Sequence, residues 1–202
     1  AVVSRAFGKD FTKEELGGSD VHKKNGVTDN IAESEEDAFN QIKKFLSFFP
    51  ANIYELPPKK DSKDDISRSE KLLEEIIPKD RKKTYEMREI IKLVVDEKDF
   101  FEISNFFGRG IITGFARLNG FSVGIFANDS NFYAGSMTAD NAKKTTRFIK
   151  LCDQFNIPVL TIVDEPGFLI GKKAEEDATI LHGTEAVLAA ADSSIPWCTL
   201  MV

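Results

Sequence analysis

The order of apolar segments in the second half of the chain most constrains its fold. Two β-rich runs, 110–116 and 122–127, flank Asn119-Gly120, and this dipeptide favours a tight hairpin because both residues tolerate positive φ. A helical pattern follows at 138–155. The run 157–163 is almost wholly apolar, which is typical of strands that are buried on both faces of a sheet. These segments predict a hairpin that continues through a helix into a buried strand.

A second helix and a last strand continue this pattern. Apolar spacing predicts a helix at 174–191 and a strand at 196–202. The alternation of hairpin, helix, strand, helix and strand is that of an α/β fold. A last strand without a following helix would leave apolar surface uncovered. We therefore expect further structure beyond Val202, or a partner that covers this surface.

The first half of the chain contains two capped helices and a linker. Thr12 and Glu15 have the spacing of a capping box, and Ser34 caps a longer helix that ends before Pro50. Segment 51–80 is rich in Pro, Lys, Asp and Ser, which predicts a linker with a short helix near its end. Helical spacing produces an apolar face in the Ser34 helix, at Ala38, Ile42, Phe45, Leu46 and Phe49, and again at Met87, Ile90, Ile91, Val94 and Val95.

Charge and composition exclude several classes of function. The chain of 202 residues has a net charge of -6 and a pI near 5.1, which argues against a nucleic-acid surface and hence a nucleic-acid partner. It has neither an apolar run that would cross a bilayer nor a signal peptide, so we expect no stable membrane insertion. Cys152 and Cys198 lack CxxC spacing, so we expect buried free thiols and no metal site.

The most informative segment is 164–171, Asp-Glu-Pro-Gly-Phe-Leu-Ile-Gly. It lies where a buried strand passes into a helix, the usual place for ligands in α/β sheets, and its glycines let backbone amides approach a ligand. From these residues alone, the segment is either a ligand site or a tight structural turn. The carboxylates of Asp164 and Glu165 should point to opposite sides, because they are neighbours at a strand end. The helical His182 is interpreted as a packed or capped residue.

Several motifs along the chain resemble one protein family. The motifs occur in order as EELGGSDVH (14–22), NGV (25–27), YEMREII (85–91), DFFEI (99–103), ITGFARLNGFSVGI (112–125), AGSMTADNAKKTTRFIKLCDQFNIPVL (134–160), DEPGFLIG (164–171) and HG (182–183). Together they resemble the carboxyltransferase (beta) subunits of biotin-dependent acyl-CoA carboxylases of the propionyl-CoA and methylcrotonyl-CoA type, and related acyl-CoA decarboxylases. Only 51–80 lacks a clear match.

The resemblance implies an α/β fold of the crotonase-like (ClpP/crotonase) type, a ββα superhelix that is incomplete in this chain. Residues 1–50 would be the tail of the N-terminal carboxyltransferase domain, 51–80 the linker, and 81–202 the truncated C-terminal domain. It further implies that five residues line the pocket for biotin, namely Ala134, Gly135, Pro166, Gly167 and Phe168. No catalytic residue is assigned, because the family's oxyanion-stabilising Gly-Gly-Ala turns would precede residue 1 and follow Val202. We therefore expect this piece to be inactive alone.

The implied reaction moves CO2 from carboxybiotin on a carrier protein to the α-carbon of an acyl-CoA, through an enolate that amide donors stabilise. Partners would be further copies of the chain, as a homodimer or hexamer, and a biotin carboxyl carrier with biotin carboxylase. The location would be the cytoplasm or the mitochondrial matrix. Two alternatives are an acyl-CoA decarboxylase subunit of a sodium-pumping complex and a non-catalytic assembly piece. Glu165 and Ile170 stand where the family often has a small apolar residue and a proline. The change at Glu165 adds a charge near the cleft, which bears on the identity of the biotin pocket and on substrate choice.

Overall fold

A computed structural model describes residues 2–80 and 83–202 and contains a mixed five-stranded sheet. Spatial order follows chain order, with β1, β2 and β3 antiparallel and with β3, β4 and β5 parallel. The parallel strands are joined by helical crossovers, as parallel pairing requires. The strands are β1 (Phe101–Ile103), β2 (Ile111–Leu118), β3 (Phe121–Asn128), β4 (Val159–Val163) and β5 (Trp197–Met201).

The predicted hairpin is confirmed. Leu118 pairs with Phe121 across a two-residue turn, in which Asn119 and Gly120 have φ values of 49° and 79°. Both turn amides donate to the Asp96 carboxylate, at 3.0 and 2.7 Å. Consecutive residues of positive φ match the twist of the paired strands, so this turn fixes their register.

Helices cover both faces of the sheet. They are α1 (Val2–Phe7), α2 (Lys13–Gly17), α3 (Ser19–His22), α4 (Glu35–Leu46), α5 (Met87–Val94), α6 (Ala139–Gln154), α7 (Lys172–Glu176) and α8 (Thr179–Asp192). The capping box of Thr12 and Glu15 is present, and the Ser34 hydroxyl accepts a hydrogen bond from the Asp37 amide. Both predicted helix starts are therefore confirmed.

Two large clusters of the core lie on opposite faces of the sheet, and a smaller third cluster joins Ile111, Met137, Ala142 and Ala186. On one face α5 packs its apolar side on alternate residues of β2, β3 and β4. On the other face the Phe115 ring lies 5.0 to 5.8 Å from the rings of Phe48, Phe49 and Phe148. Since β4 contributes to both large clusters, the prediction of a strand buried on both faces is confirmed.

The predicted apolar face of α4 is only partly covered. Phe45 and the following Phe49 pack in the aromatic cluster, so the phenylalanines here serve as core residues. Ile42 and Leu46, by contrast, remain more than half exposed. The face is therefore covered at Phe45 and Phe49 and open at Ile42 and Leu46.

Two predictions from the sequence are wrong. The helix expected at 174–191 is two helices, because Ala178 takes a left-handed conformation with φ of 54° between α7 and α8. Apolar spacing does not register a break of one residue, since the helical period continues on both sides. Cys152 is buried as expected, but Cys198 is exposed because it lies on β5, where every residue is exposed.

Segment 51–80 has little regular structure, with one 3-10 turn at Lys71–Glu74 where a short helix was expected. It nevertheless contacts the sheet and α5. The Lys60 amide donates to the Gly120 carbonyl at 3.0 Å, and the Arg68 guanidinium donates to the carbonyls of Val94 and Val95. The expected domain boundary at residue 81 lies outside the described residues, and the division into domains stays a prediction. No helix within 2–80 or 83–202 is long and apolar enough to cross a bilayer.

A buried lysine ties α6 to the sheet. The ammonium group of Lys144 donates to the carbonyls of Ser104 and Ile111, at 2.9 and 2.6 Å. Burial lowers the pKa of Lys144 from its usual 10.5 to about 7. A neutral amine has two N–H groups, which match the two carbonyl acceptors, so the uncharged form satisfies this site.

Candidate functional site

Two loops meet where β3 and β4 end. The β3 loop (residues 129–138) leads into α6, and the β4 loop (residues 164–171) leads into α7. Their backbones pair, because the Met137 amide donates to the Gly167 carbonyl and the Leu169 amide donates to the Met137 carbonyl, both at 2.9 Å. The carboxyl ends of adjacent parallel strands form the usual ligand crevice of an α/β sheet. The sequence signal for a site at 164–171 thus coincides with such a crevice.

The β3 loop contains a strained turn. Tyr133, Ala134 and Gly135 are consecutive residues with φ of 52°, 52° and 80°. Each non-glycine residue in this region costs on the order of 1–3 kcal/mol, and such strain persists only where the surroundings enforce it. A side chain on Gly135 would place its Cβ 2.6 Å from the Asp164 carbonyl oxygen. The turn therefore needs glycine here to lie directly against the β4 loop.

The buried Asn128 links both loops. Its Oδ1 accepts from the Asp164 amide at 3.2 Å, and its Nδ2 lies 3.3 Å from the Gly135 carbonyl oxygen. The same Nδ2 lies 3.4 Å from Oε2 of Glu165. The side chain has no exposed surface, so these protein groups satisfy its hydrogen-bonding capacity.

The adjacent carboxylates of the β4 loop have different partners, as expected for neighbours at a strand end. The Tyr85 hydroxyl donates to Asp164 at 2.6 Å, and burial together with this bond raises the pKa of Tyr85 well above its usual value. Glu165 is partly buried beside Asn128. Burial raises the pKa of Glu165, and the Asn128 bond opposes that shift. The loop therefore combines a carboxylate that accepts from a phenol with a carboxyl that ionises less readily.

Two cavities lie on either side of the β4 loop. The larger has a volume of about 660 Å³ and is lined by Ala134, Asp164, Pro166, Tyr85, Ser130, Lys79 and Lys83, among others. The smaller has a volume of about 230 Å³ and a mostly apolar lining that includes Phe126, Met137, Phe168, Gly183 and Trp197. Glu165 lines both cavities. Its carboxyl group therefore stands between a polar and an apolar space.

The Phe168 ring depends on a glycine in α8. A side chain on Gly183 would place its Cβ 2.6 Å from Cζ of Phe168, closer than real Cβ contacts come. The Phe168 ring can therefore occupy this position only because Gly183 has no side chain. This contact explains the position of the His-Gly motif at 182–183, while His182 itself pairs with Glu185 at 2.8 Å.

An ion-pair network holds the first residue of the β3 loop. The Arg88 guanidinium donates two bonds to Glu102, at 2.6 and 2.8 Å, and one to Asp129 at 2.5 Å. Asp129 follows Asn128 directly, and its side chain is almost wholly buried. The network thus joins α5 and β1 to the start of the β3 loop.

The structure brings the five predicted pocket residues together but divides them among three positions. Ala134 and Pro166 line the larger cavity, and Phe168 lines the smaller one. The Gly135 carbonyl accepts from the Asn128 side chain at the end of β3, and the Gly167 carbonyl accepts from the Met137 amide. Their predicted role in biotin binding stays a prediction.

Sequence reasoning assigned no role to Asn128 or Tyr85. A polar residue that ends a buried apolar strand is the signal that would have indicated Asn128. Within the described ranges, no three side chains of His, Cys, Asp or Glu are grouped as metal ligands.

Comparisons with known proteins give a consistent result. The family model described as carboxyl transferase domain matches residues 1–202. A propionyl-CoA carboxylase carboxyltransferase subunit of Haloferax mediterranei is 38% identical over 201 residues, which are 99% of this chain and 39% of that protein. A methylmalonyl-CoA decarboxylase subunit alpha of Veillonella parvula is 37% identical over 202 residues, which are 100% of this chain and 40% of that protein.

Solved structures agree with the sequence comparisons. A transcarboxylase 12S structure, described as a hexamer with methylmalonyl-coenzyme A and methylmalonic acid bound, matches with a TM-score of 0.94 and 35% identity. The match covers 99% of this chain and 39% of that chain. The crotonase-like α/β fold expected from the sequence is thereby confirmed. This chain spans 39% of the length of the Haloferax mediterranei relative. It belongs to the carboxyl transferase domain family.

Proposed function

We propose that this chain forms the biotin side of a carboxyltransferase, which moves CO2 from carboxybiotin to the α-carbon of an acyl-CoA. The observation that most supports this proposal is the pairing of the β3 and β4 loops at the carboxyl ends of β3 and β4. This pairing gathers the family's Ala-Gly and Pro-Gly-Phe segments around one crevice. Family membership over the whole chain supports the same reaction.

The residues present fit the chemistry of biotin. Its fused rings have apolar edges and a polar ureido group, so a pocket needs both kinds of lining. Phe168 supplies a partly exposed aromatic face at the smaller cavity, and the larger cavity offers backbone groups near Ala134. When bound, carboxybiotin supplies the CO2 that is transferred. This chain's residues would bind and orient the ring system beside the loop pair.

Glu165 has a defined part in this proposal. The carboxylate of carboxybiotin is an anion, and an ionised Glu165 would repel it. The raised pKa of Glu165 keeps a larger fraction of its carboxyl groups neutral at a given pH. A neutral carboxyl can donate a hydrogen bond to an anionic ligand, so burial of Glu165 favours binding of the carboxylated form.

Further copies of the chain and a biotinylated carrier are the proposed partners. The transcarboxylase 12S relative is described as a hexamer and contains methylmalonyl-coenzyme A, which supports an oligomer that binds an acyl-CoA. The described surface also contains apolar residues that a partner would cover, notably on α8 and β5. The proposed location is the cytoplasm or the mitochondrial matrix, and one relative, of Mus musculus, is named as a mitochondrial chain.

A decarboxylase subunit is the second candidate. The methylmalonyl-CoA decarboxylase subunit alpha of Veillonella parvula is as similar to this chain as several carboxylase chains are. Both reactions use the same exchange of CO2 between biotin and an acyl-CoA, in opposite directions. Co-purification of the natural polypeptide with membrane proteins would favour the decarboxylase.

The test uses the natural polypeptide that carries this sequence, with a biotinylated carrier, biotin carboxylase, ATP and bicarbonate. We expect carboxylation of at least one short acyl-CoA from a panel, measured by fixation of labelled bicarbonate. Phe168→Ala should raise the KM for the carrier. Phe121→Ala, a matched change of an exposed ring at the opposite end of β3, should not. Absence of carboxyl transfer in either direction with every acyl-CoA would refute the proposal.

A further inference from the structure

Asn128 is a wholly buried polar side chain that bonds to both site loops. As the last residue of β3 it stands directly under the crevice, and its amide carries an acceptor and two donors on one planar group. The acceptor receives the Asp164 amide, while the donors face the Gly135 carbonyl and Glu165. Each functional atom of the side chain is thus directed at a different part of the site.

The three hydrogen bonds of Asn128 differ in length and therefore in strength. The bond from the Asp164 amide, at 3.2 Å, lies within the usual range of about 2.7–3.2 Å, whereas those at 3.3 and 3.4 Å are longer. The longer two are individually weaker, but they join the strained Ala134 turn to a carboxyl group across the cavity wall. A small shift of the Asn128 amide would therefore change the separation of these two groups.

We propose that Asn128 is a positioning residue for carboxyl transfer: its amide sets the distance between the Ala134 turn and the Glu165 carboxyl, and thereby the shape of the larger cavity. The choice of carboxybiotin as the ligand rests on the proposed function. The coupling of the two loops through Asn128 does not, since it follows from the hydrogen bonds alone.

The loops have a second connection that makes this proposal testable. The backbone pairing of Met137 with Gly167 and Leu169 joins them farther along and does not involve Asn128. A change at Asn128 should therefore leave the loops paired while it alters the region near Glu165. We expect such variants to fold and to show a local defect in ligand binding.

The charged groups near the Asn128–Glu165 contact lie on few elements. Among the described residues, Lys79, Lys83 and Tyr85 line the larger cavity, and the β4 loop supplies Asp164, whose carboxylate accepts from Tyr85. Asp129 of the β3 loop is held by Arg88. The residues of α6, α8 and β5 that line the smaller cavity carry no titratable side chain and are Thr145, Ile149, Gly183, Ala186, Val187, Ala190 and Trp197.

The experiment compares three variants of the natural polypeptide with its biotinylated carrier: Asn128→Asp, Glu165→Gln and the double variant. Asn128→Asp keeps the acceptor for the Asp164 amide but replaces the donors with a second carboxylate oxygen. It then faces Glu165 with like charge. In the double variant, the new amide at position 165 donates to the new carboxylate at position 128, which restores a hydrogen bond of reversed direction.

We expect Asn128→Asp to raise the carrier KM about tenfold, which corresponds to about 1.4 kcal/mol, with less than about a twofold change in the acyl-CoA KM. Its defect should grow as the pH rises, because two facing carboxylates lose their shared proton. The double variant should recover part of the carrier KM defect and lose the pH dependence. Recovery is partial because the bond to position 165 is restored while the Gly135 carbonyl stays without its donor. A purely structural role for Asn128 would give no such split or rescue.

Equal effects on both KM values, or a double variant no better than Asn128→Asp, would overturn the proposal. Amide hydrogen exchange of the two loops gives a readout that needs no ligand, with Asn128→Ser as a second variant that keeps one donor on a shorter side chain. Faster exchange in 129–138 and 164–171 supports loop positioning, and unchanged exchange contradicts it. If the wild type transfers no carboxyl group, the proposed function fails while this exchange result still decides the role of Asn128.

Discussion

Replacement of Gly183 by alanine tests whether Phe168 belongs to the ligand pocket. Gly183 lies within α8, and the Phe168 ring rests over it at the edge of the smaller cavity. The added Cβ would stand 2.6 Å from Cζ of the ring. The variant therefore moves a proposed ligand contact without changing any residue of the loop.

The structure sets the size of both expected effects. Carbon atoms pack best at about 3.5–4.0 Å, and Cε1 of the ring would lie closer to the new Cβ than Cζ does, so the ring must retreat by more than about 0.9 Å. Phe168 is 41% exposed, which lets the ring swing outward while α8 stays in place. The gain in helix propensity from Gly to Ala, about 1 kcal/mol, offsets the lost ring contacts. The free energy of unfolding should therefore change by less than about 1 kcal/mol.

A shift of about 1 Å in a positioning group can cost up to about 100-fold in activity. We expect Gly183→Ala to raise the carrier KM by about 10- to 100-fold and to leave the acyl-CoA KM near the wild-type value. Steady-state kinetics with varied carrier and varied acyl-CoA measures both constants. The result separates displacement of one ring from general damage to the protein.

Gly124→Ala is the matched control. Its Cβ would lie 2.7 Å from Sγ of Cys152 and 3.1 Å from the Phe148 ring, inside the core and away from the loops. Overpacking of this kind costs about 1–3 kcal/mol, so Gly124→Ala should lower the free energy of unfolding and leave the carrier KM unchanged. If Gly183→Ala displaces the Phe168 ring but keeps the wild-type KM for the carrier, Phe168 does not belong to the pocket.

Three further changes have distinct expected outcomes. In the wild type, the lowered pKa of Lys144 makes the folded chain release a proton above pH 7 that the unfolded chain keeps. The free energy of unfolding should therefore rise between pH 7 and about 9, by up to about 1.4 kcal/mol per pH unit, and Lys144→Met should abolish this rise in urea unfolding. Arg88→Met leaves Asp129 as an unpaired buried charge and should cost about 3–5 kcal/mol by the same assay, whereas an effect under about 1 kcal/mol would contradict the network. The KM of the wild type for the carrier should rise about tenfold as Glu165 ionises with increasing pH. For Glu165→Gln, steady-state kinetics at the same pH values should give a carrier KM that does not change with pH.

Local signals in the sequence were sufficient for much of the fold. The Asn119-Gly120 turn requires only two residues that tolerate positive φ, and the capping box requires only Thr12 and Glu15 at the right spacing. The apolar run that forms β4 reports burial directly, because a strand covered on both faces has no polar side. Each of these features depends on neighbours in the chain, which a sequence displays.

Features that depend on distant residues could not be predicted in this way. Asn128 bonds to groups 36 and 37 residues later in the chain, and its role appears only when β3 and β4 lie side by side. Exposure of Cys198 follows from the place of β5 at the edge of the described sheet, which an apolar sequence does not reveal. The crevice at 164–171 was predicted, but its division into two cavities required the fold.

The way in which the loops are joined explains how this site can vary in chemistry. The bonds between Met137, Gly167 and Leu169 are formed by backbone groups, so they do not depend on side-chain identity. Substitutions at Glu165 or at the highly exposed Ile170 therefore leave that pairing intact. Since Glu165 lines both cavities, a change there alters the charge of both while the backbone pairing at Met137 remains. We therefore propose that the carboxyl at position 165 affects ligand preference without loss of the backbone pairing between the loops.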